Sequence, residues 1–391
     1  MIYKYNRTIL IYLFVSLIAT SSCSTNTYFG RWVNWRQSDV EDYKRFPSHN
    51  IDNEPPVFNF SKGITPPSLD TIKYNYKNNG PITELTNLLE ETGTTALVIV
   101  KNDTVLYEDY FNGYSRNSIN TSFSIAKSIT SALIGIAIDE GHINSEHDPI
   151  TLYLPKLKQK DPRFEQITIE HLLSMKSGIA FRDHDLPWGD KPKAYYGPNL
   201  RERVMNLKIV GEPGKEFVYN SYNSILLGLI LEQVTKQPVS KFFENKLWKP
   251  LGMEFDASWS IDSKEDQMVK MESGINARAI DFAKIGRLFL EKGRWNDEQI
   301  ISEKWVNKSM QINIENRVPH IGDKIHYQYA WWIHAPSESQ YYAIGAWGHL
   351  GQYIYIFPNE DLVIVRFGKK TGKVSWPRFI QALARNCTNT T

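Results

Sequence analysis

Ser124-Ile-Ala-Lys127 is the one place in the chain where a lysine follows a serine by three residues. At a helix start that spacing stacks both side chains on one face, a turn apart, so that a neutral amine can take the hydroxyl proton. Burial and the positive helix end both oppose the ammonium form, and free N–H groups at the same place can receive an oxyanion. A serine N-cap beside a solvent-facing lysine gives the same spacing. A second cluster, Tyr219-Asn-Ser221, sits where a Pro/Gly loop meets an apolar run. A phenol there can shuttle a proton between nucleophile and leaving group; a core tyrosine with a capping Ser or Asn is the plainer reading. The third is Gly348-His349-Leu-Gly351-Gln352, ahead of a strand. Gly351 would let an extended substrate lie close to an edge strand, with His349 over the cleft, or the segment is a turn with a surface histidine. The pairs His142 and His147, or His320 and His326, lack the further ligands that a zinc site needs.

The hydrophobic pattern says what must position these residues. Residues 82–91 have helical spacing, and residues 95–100 and 104–110 read as strands around Lys101-Asn-Asp103, predicting a β-hairpin. Residues 124–140 place Ile125, Ile129, Leu133 and Ile136 on roughly helical spacing and end at Gly141, suited to a left-handed cap. Helical patterns at 169–173, 225–232 and 277–292 make the middle mostly α. Residues 341–344, 352–357 and 362–367 return to strand, and 377–385 to helix. The spacing predicts an α+β domain over 81–391: one antiparallel sheet from both chain ends (81–120 and 335–391) with a helical part, 121–334, inserted. Substrate choice would fall to residues 181–199, with Trp188, Tyr195 and Tyr196, and to the aromatic run 327–332.

With 391 residues, a formal charge of +2 and 41% hydrophobic residues, the chain has the composition of a soluble globular protein with a substantial core. The near-neutral balance, without a Lys/Arg tract, leaves no electrostatic footprint for nucleic acid. Eleven Trp, 21 Tyr and 18 Phe are enough to line a pocket as well as fill a core. No internal repeat is present, which excludes solenoids and propellers. Residues 1–22, with a positive start and an apolar stretch at 9–19, predict an export signal too short to span a bilayer permanently, hence an extracytoplasmic protein. Cys23 directly after it suggests bacterial lipoprotein lipidation and a cell-envelope anchor. Thr20-Ser21-Ser22 lacks the usual Leu, so release after cleavage, or a disulfide to Cys387, stays open. Residues 23–80, rich in Asn, Pro and Ser, read as a tether or wrapping arm.

Ser-x-x-Lys, then Tyr-x-Ser about ninety residues on, then His-x-Gly near a C-terminal strand pair: in this order the motifs resemble the serine β-lactamase and penicillin-binding-protein superfamily. The similarity extends through residues 167–178, Pro250-Leu-Gly-Met253, and Ser273-Gly-Ile-Asn-Ala277 with Asp281, covering roughly residues 80–385. Within it the chain looks like the class C branch. It departs from that branch's Tyr-x-Asn and Lys-Thr-Gly, and Tyr219-x-Ser221 instead resembles the nylon-oligomer hydrolase group. The resemblance implies Ser124 as nucleophile, Lys127 as its base and Tyr219 as proton relay, with Ser221 and His349 orienting Tyr219 and the substrate. It also implies an oxyanion hole from the backbone N–H groups of Ser124 and Gln352. An acyl-enzyme on Ser124 needs no metal or organic cofactor. The implied partner is a small-molecule or short peptide-like ester or amide. D-aminopeptidase, carboxypeptidase or β-lactamase-type activity on peptidoglycan-like substrates, and a non-catalytic penicillin-binding-like module, are the alternatives.

Overall fold

The computed structural model describes residues 24–69, 72, 84–318, 320–322, 324–337 and 341–388. The expected export signal and Cys23 lie outside the described residues, as do residues 82 and 83 of the first expected helix, which runs Leu85–Glu91. Among the described residues no helix is long and apolar enough to cross a membrane.

The strands, numbered in chain order, are β1 Ser48–Ile51, β2 Ser61–Lys62, β3 Thr94–Lys101, β4 Thr104–Tyr110, β5 Asn120–Thr121, β6 Ala257–Ser260 and β7 Ile275–Ala277. The chain continues with β8 Arg294–Trp295, β9 Glu298–Gln299, β10 Ile325–Gln328, β11 Trp331–His334, β12 Ala343–Gly348, β13 Gln352–Phe357 and β14 Leu362–Gly368. The main sheet has the order β10-β11-β12-β13-β14-β3-β4-β2, antiparallel except for β2, which runs parallel to β4. The first and last parts of the chain thus meet at the β14–β3 pair, where Val365 faces Val98 and Val363 faces Val100.

Strand alternation feeds two cores. Along β3, Ala96, Val98 and Val100 join the core under the Ile125–Asp139 and Ala279–Leu290 helices, while Leu97 and Ile99 join the one under the Leu85–Glu91 and Trp376–Thr388 helices. With both faces covered, β3, β13 and β14 read as continuous apolar runs. Asn102 and Asp103, both at positive φ, close the β3–β4 hairpin in the mirror-image turn that suits strand twist. The Ile125–Asp139 helix is buried on every side, and ends at Gly141 in the left-handed conformation (φ 75°).

One expectation changes. The C-terminal part of the sheet begins at Ile325 rather than at 335, inside the stretch assigned to the helical part, and the aromatic run 327–332 falls in the β10–β11 hairpin. The strand ahead of the third motif is paired unevenly: β13 pairs with β12 from Ile344 to Gly348, whereas β11 pairs with it only over Ala343–Gly345. Residues 24–69 wrap the domain. Their strand β1 pairs with β6 in a small sheet ordered β1-β6-β7-β5, and Arg31, 4% exposed, donates to the carbonyls of Asp262 (2.5 Å) and Thr25 (2.7 Å).

Candidate active site

The small sheet aims the first motif. Asn120 and Thr121 pair with β7, and Ser122 donates to the Ile275 carbonyl at 2.8 Å, so the chain enters the Ile125–Asp139 helix along a fixed line. Phe123 turns that corner at φ 48°, a left-handed conformation that costs a bulky residue free energy and persists only because its surroundings hold it. Its ring lies 5.5 Å from that of His349 and 6.0 Å from that of Tyr195. Ser124 follows as the N-cap residue, without capping through its own side chain, which leaves Oγ available for other partners.

Lys127, one turn on, donates from Nζ to Ser124 Oγ and to the Glu272 carbonyl, both at 2.9 Å. It is 2% exposed, and desolvation pulls its amine down to a pKa of about 8; the Glu272 carboxylate opposes this shift and the Lys270 ammonium adds to it. Tyr219 lies beside this pair, its ring centroid 5.1 Å from Lys127 Nζ, and the Ser124 side chain is among the groups that influence its phenol. Burial raises the phenol to about 12, so it stays protonated and can donate. Its ring stacks on Trp332 and meets the edge of Tyr327, which locks its direction. Asn220, not Ser221, caps the following Ser221–Thr235 helix by accepting from the Tyr222 N–H at 2.9 Å; Ser221 is the first helical residue.

Ser124, Lys127, Tyr219, Ser221 and His349 all line one cavity of about 760 Å³. Gly351 and Gln352 do not. Gly351 (φ 84°) lies against Arg366, whose guanidinium donates to the Gly351 carbonyl at 2.6 Å and to the Leu350 carbonyl at 3.0 Å. Gln352, fully buried, spends its side chain on the His349 and Gly368 carbonyls and the Gly368 N–H. The glycine that allows close backbone approach is Gly348, at the end of β12. A Cβ there would stand 2.5 Å from the Ser122 carbonyl.

The cavity has walls that the motifs did not reveal. Trp32 and Arg36 come from the N-terminal arm, Glu272 and Ser273 from the turn before β7, and Trp347 and Gly348 from β12. Of these, Gly348 carried a sequence signal as the first residue of the third motif, and Ser273 as part of the family resemblance. Tyr195 and Tyr196 line the cavity as expected, whereas Trp188 is exposed outside its lining.

A family model described as Beta-lactamase matches residues 85–379, about three-quarters of the chain. The chain is 26% identical over 311 residues to the 6-aminohexanoate-dimer hydrolase of Paenarthrobacter ureafaciens, covering 75% of this chain and 76% of that one. It is 34% identical over 174 residues to Protein flp of Staphylococcus aureus (strain N315), covering 40% of this chain and 33% of that one. A solved structure from Bacillus anthracis, assigned as a 6-aminohexanoate-dimer hydrolase, superposes with a TM-score of 0.77 at 23% identity over 92% of both chains. The octameric penicillin-binding protein homologue from Pyrococcus abyssi gives 0.61 at 22% identity, over 76% of this chain and 73% of that one. The motif order, the sheet closed by both chain ends and the extent of the family match lead to one assignment: this chain belongs to the beta-lactamase family, as a serine hydrolase with the β-lactamase/penicillin-binding-protein fold.

Proposed function

We propose that the protein hydrolyses an ester or amide through an acyl-enzyme on Ser124. The observation that carries the reading is the amine on the hydroxyl: a desolvated Lys127 bonds to Ser124 Oγ, and the protonated phenol of Tyr219 stands beside them in the same cavity. In acylation, Ser124 Oγ attacks the carbonyl carbon as its proton passes to Lys127 Nζ. The tetrahedral oxyanion is received by the backbone N–H groups of Ser124 and of His349. The second donor replaces Gln352, because His349 follows β12 at the cavity lip and the first N–H groups of a helical turn have no partner within it. When the C–N or C–O bond breaks, Tyr219 gives its proton to the leaving group and regains one from the Lys127 ammonium. Water then attacks the acyl carbon with the same residues acting in reverse, releasing the acid and free Ser124.

The aromatic walls, with Trp32, Tyr195, Trp332 and Trp347, favour an apolar acyl or leaving group, and a linear 6-aminohexanoate amide belongs in the first substrate panel beside simple esters and D-peptides. Export by residues 1–22 and anchoring at Cys23 complete the proposal, with the arm that follows Cys23 leading directly to the cavity wall at Trp32. The test is turnover of that panel by the wild type and by Ser124→Ala. A folded Ser124→Ala protein with undiminished turnover would overturn the reading.

A further inference from the structure

Beneath the Ser124–Lys127 pair lies a second, fully buried pair of charges that the reaction described above does not use. Lys270 and Glu272 are 1% and 3% exposed and form an ion pair of 2.9 Å. Glu272 Oε1 also accepts from Ser273 Oγ at 2.8 Å, while Oε2, buried as well, has no hydrogen-bond partner. Lys270 is fixed in turn: it donates to the Tyr195 carbonyl at 2.6 Å and sits 4.6 Å from the ring of Phe46 and 4.7 Å from that of Tyr195. Leaving a carboxylate oxygen buried and unpaired is unfavourable, so the arrangement calls for a role. Glu272 is also the residue whose backbone carbonyl already accepts from Lys127, and it lines the cavity.

We propose that Glu272 is a positioning residue for Lys127, its half-satisfied carboxylate stabilising the ammonium that Lys127 becomes on taking the Ser124 proton. The inference rests on the acyl-enzyme reading above. Lys127 Nζ has two acceptors at rest, Ser124 Oγ and the Glu272 carbonyl; protonation adds a positive charge in a site with almost no water. Five groups face it: Ser124 on its own helix, Tyr219 at the junction before Ser221, Lys270 and Glu272 on the turn before β7, and Asp183 on the loop over the cavity. Asp183 is exposed and its charge is screened by solvent. Of the charges, Glu272 pulls hardest on Lys127, and Lys270 pushes against it less strongly. The carboxylate therefore keeps Lys127 a strong enough base to accept the proton, while burial, with Lys270 adding to it, keeps the amine from being permanently protonated.

The experiment is the rate of Ser124 labelling by an uncharged fluorophosphonate against pH, on the full chain, with folding checked by near-ultraviolet circular dichroism. In Glu272→Gln the acid limb should move down by about one pH unit and the plateau above it should fall several-fold, because a weaker base is left; Glu272→Asp should restore most of both. A merely structural role would lower amplitude without moving the limb, so a folded Glu272→Gln protein with an unmoved limb overturns the inference. Where Lys270, left unpaired, prevents folding, the double variant Lys270→Met, Glu272→Gln removes both charges together. Its limb should move down by a smaller step, since the larger influence is lost with the smaller one, and an unmoved limb and plateau overturn the inference equally. Absence of Ser124 labelling in the folded wild type at every pH refutes the acyl-enzyme reading itself, and the inference with it; labelling that ignores Glu272 refutes the inference alone.

Discussion

Reactivity of Ser124 should switch on in a single step near pH 8. Lys127 in this site has a pKa of about 8, lowered chiefly by burial. At pH 7 that leaves roughly one amine in ten as free base, against roughly one in three thousand for an unperturbed lysine, about a three-hundredfold gain in active form. The same shift has a consequence for stability. The folded chain holds this proton less tightly than the unfolded one, so the penalty is complete below pH 8 and is relieved as the pH rises toward 10.5. Two and a half units correspond to about 3 kcal/mol, lowered by whatever the two hydrogen bonds of Lys127 return. Lys127→Met removes the charge and keeps the length. It should abolish labelling and raise the melting temperature at pH 7, with the gain shrinking toward pH 10. The assay is fluorophosphonate labelling of the wild type from pH 6 to 11, beside thermal melts of both proteins at pH 7 and pH 10. A labelling profile flat across pH 6 to 9, or a step above pH 10, would refute the reasoning.

Three further outcomes follow from the geometry. Tyr219→Phe removes one hydroxyl from a ring clamped by Trp332 and Tyr327, so kcat should fall by roughly 10²–10⁴ with little change in melting temperature; an unchanged kcat would remove Tyr219 from the proton path. Gly348→Ala puts a methyl 2.5 Å from the Ser122 carbonyl, so strand or nucleophile turn must shift: about 1–3 kcal/mol of stability and most of the labelling rate should be lost, and a normal rate would show that β12 stands off from Ser124. Arg366→Met strands the carbonyls of Thr92, Leu350, Gly351 and Lys370, all of which Arg366 serves, and should destabilise the fold by more than about 3 kcal/mol in urea melts, with Lys unable to substitute; a stable Arg366→Lys protein would contradict this.

Local patterns carried the first two motifs into the structure. A Ser and a Lys three apart at a helix start must share a face, and an apolar run after Tyr219 must bury its helix, so the residues gathered in the cavity around Ser124 were visible as spacing. The third motif was visible as residues but not as register. Whether His349 or Gln352 lies at the cavity depends on the β12–β13 pairing, in which Gly348 stands opposite Gln352, and that pairing is decided by neighbours far away in sequence. The β10–β11 hairpin was hidden by its turn. Tyr329 and Ala330 both take positive φ, where Asn-Gly would have announced the turn, and the turn is held from outside: Ala330 donates to the Leu173 carbonyl and accepts from Ser128 Oγ at 2.7 Å. The strand within the arm was hidden by its polarity. Ser48-His-Asn-Ile51 looks like loop because β1 is an edge strand, with Ile51 its only fully buried side chain. Glu272 had no signature at all, since its part depends on a backbone carbonyl and on Lys270 and Lys127 meeting in space.

The central claim is that Ser124 is an activated nucleophile, and the direct measurement is intact-mass analysis and peptide mapping of the folded chain after exposure to a fluorophosphonate. One adduct, confined to Ser124 and absent in Lys127→Ala, is the expected result. A folded protein that takes up no adduct, or takes it up at another serine, would contradict the account.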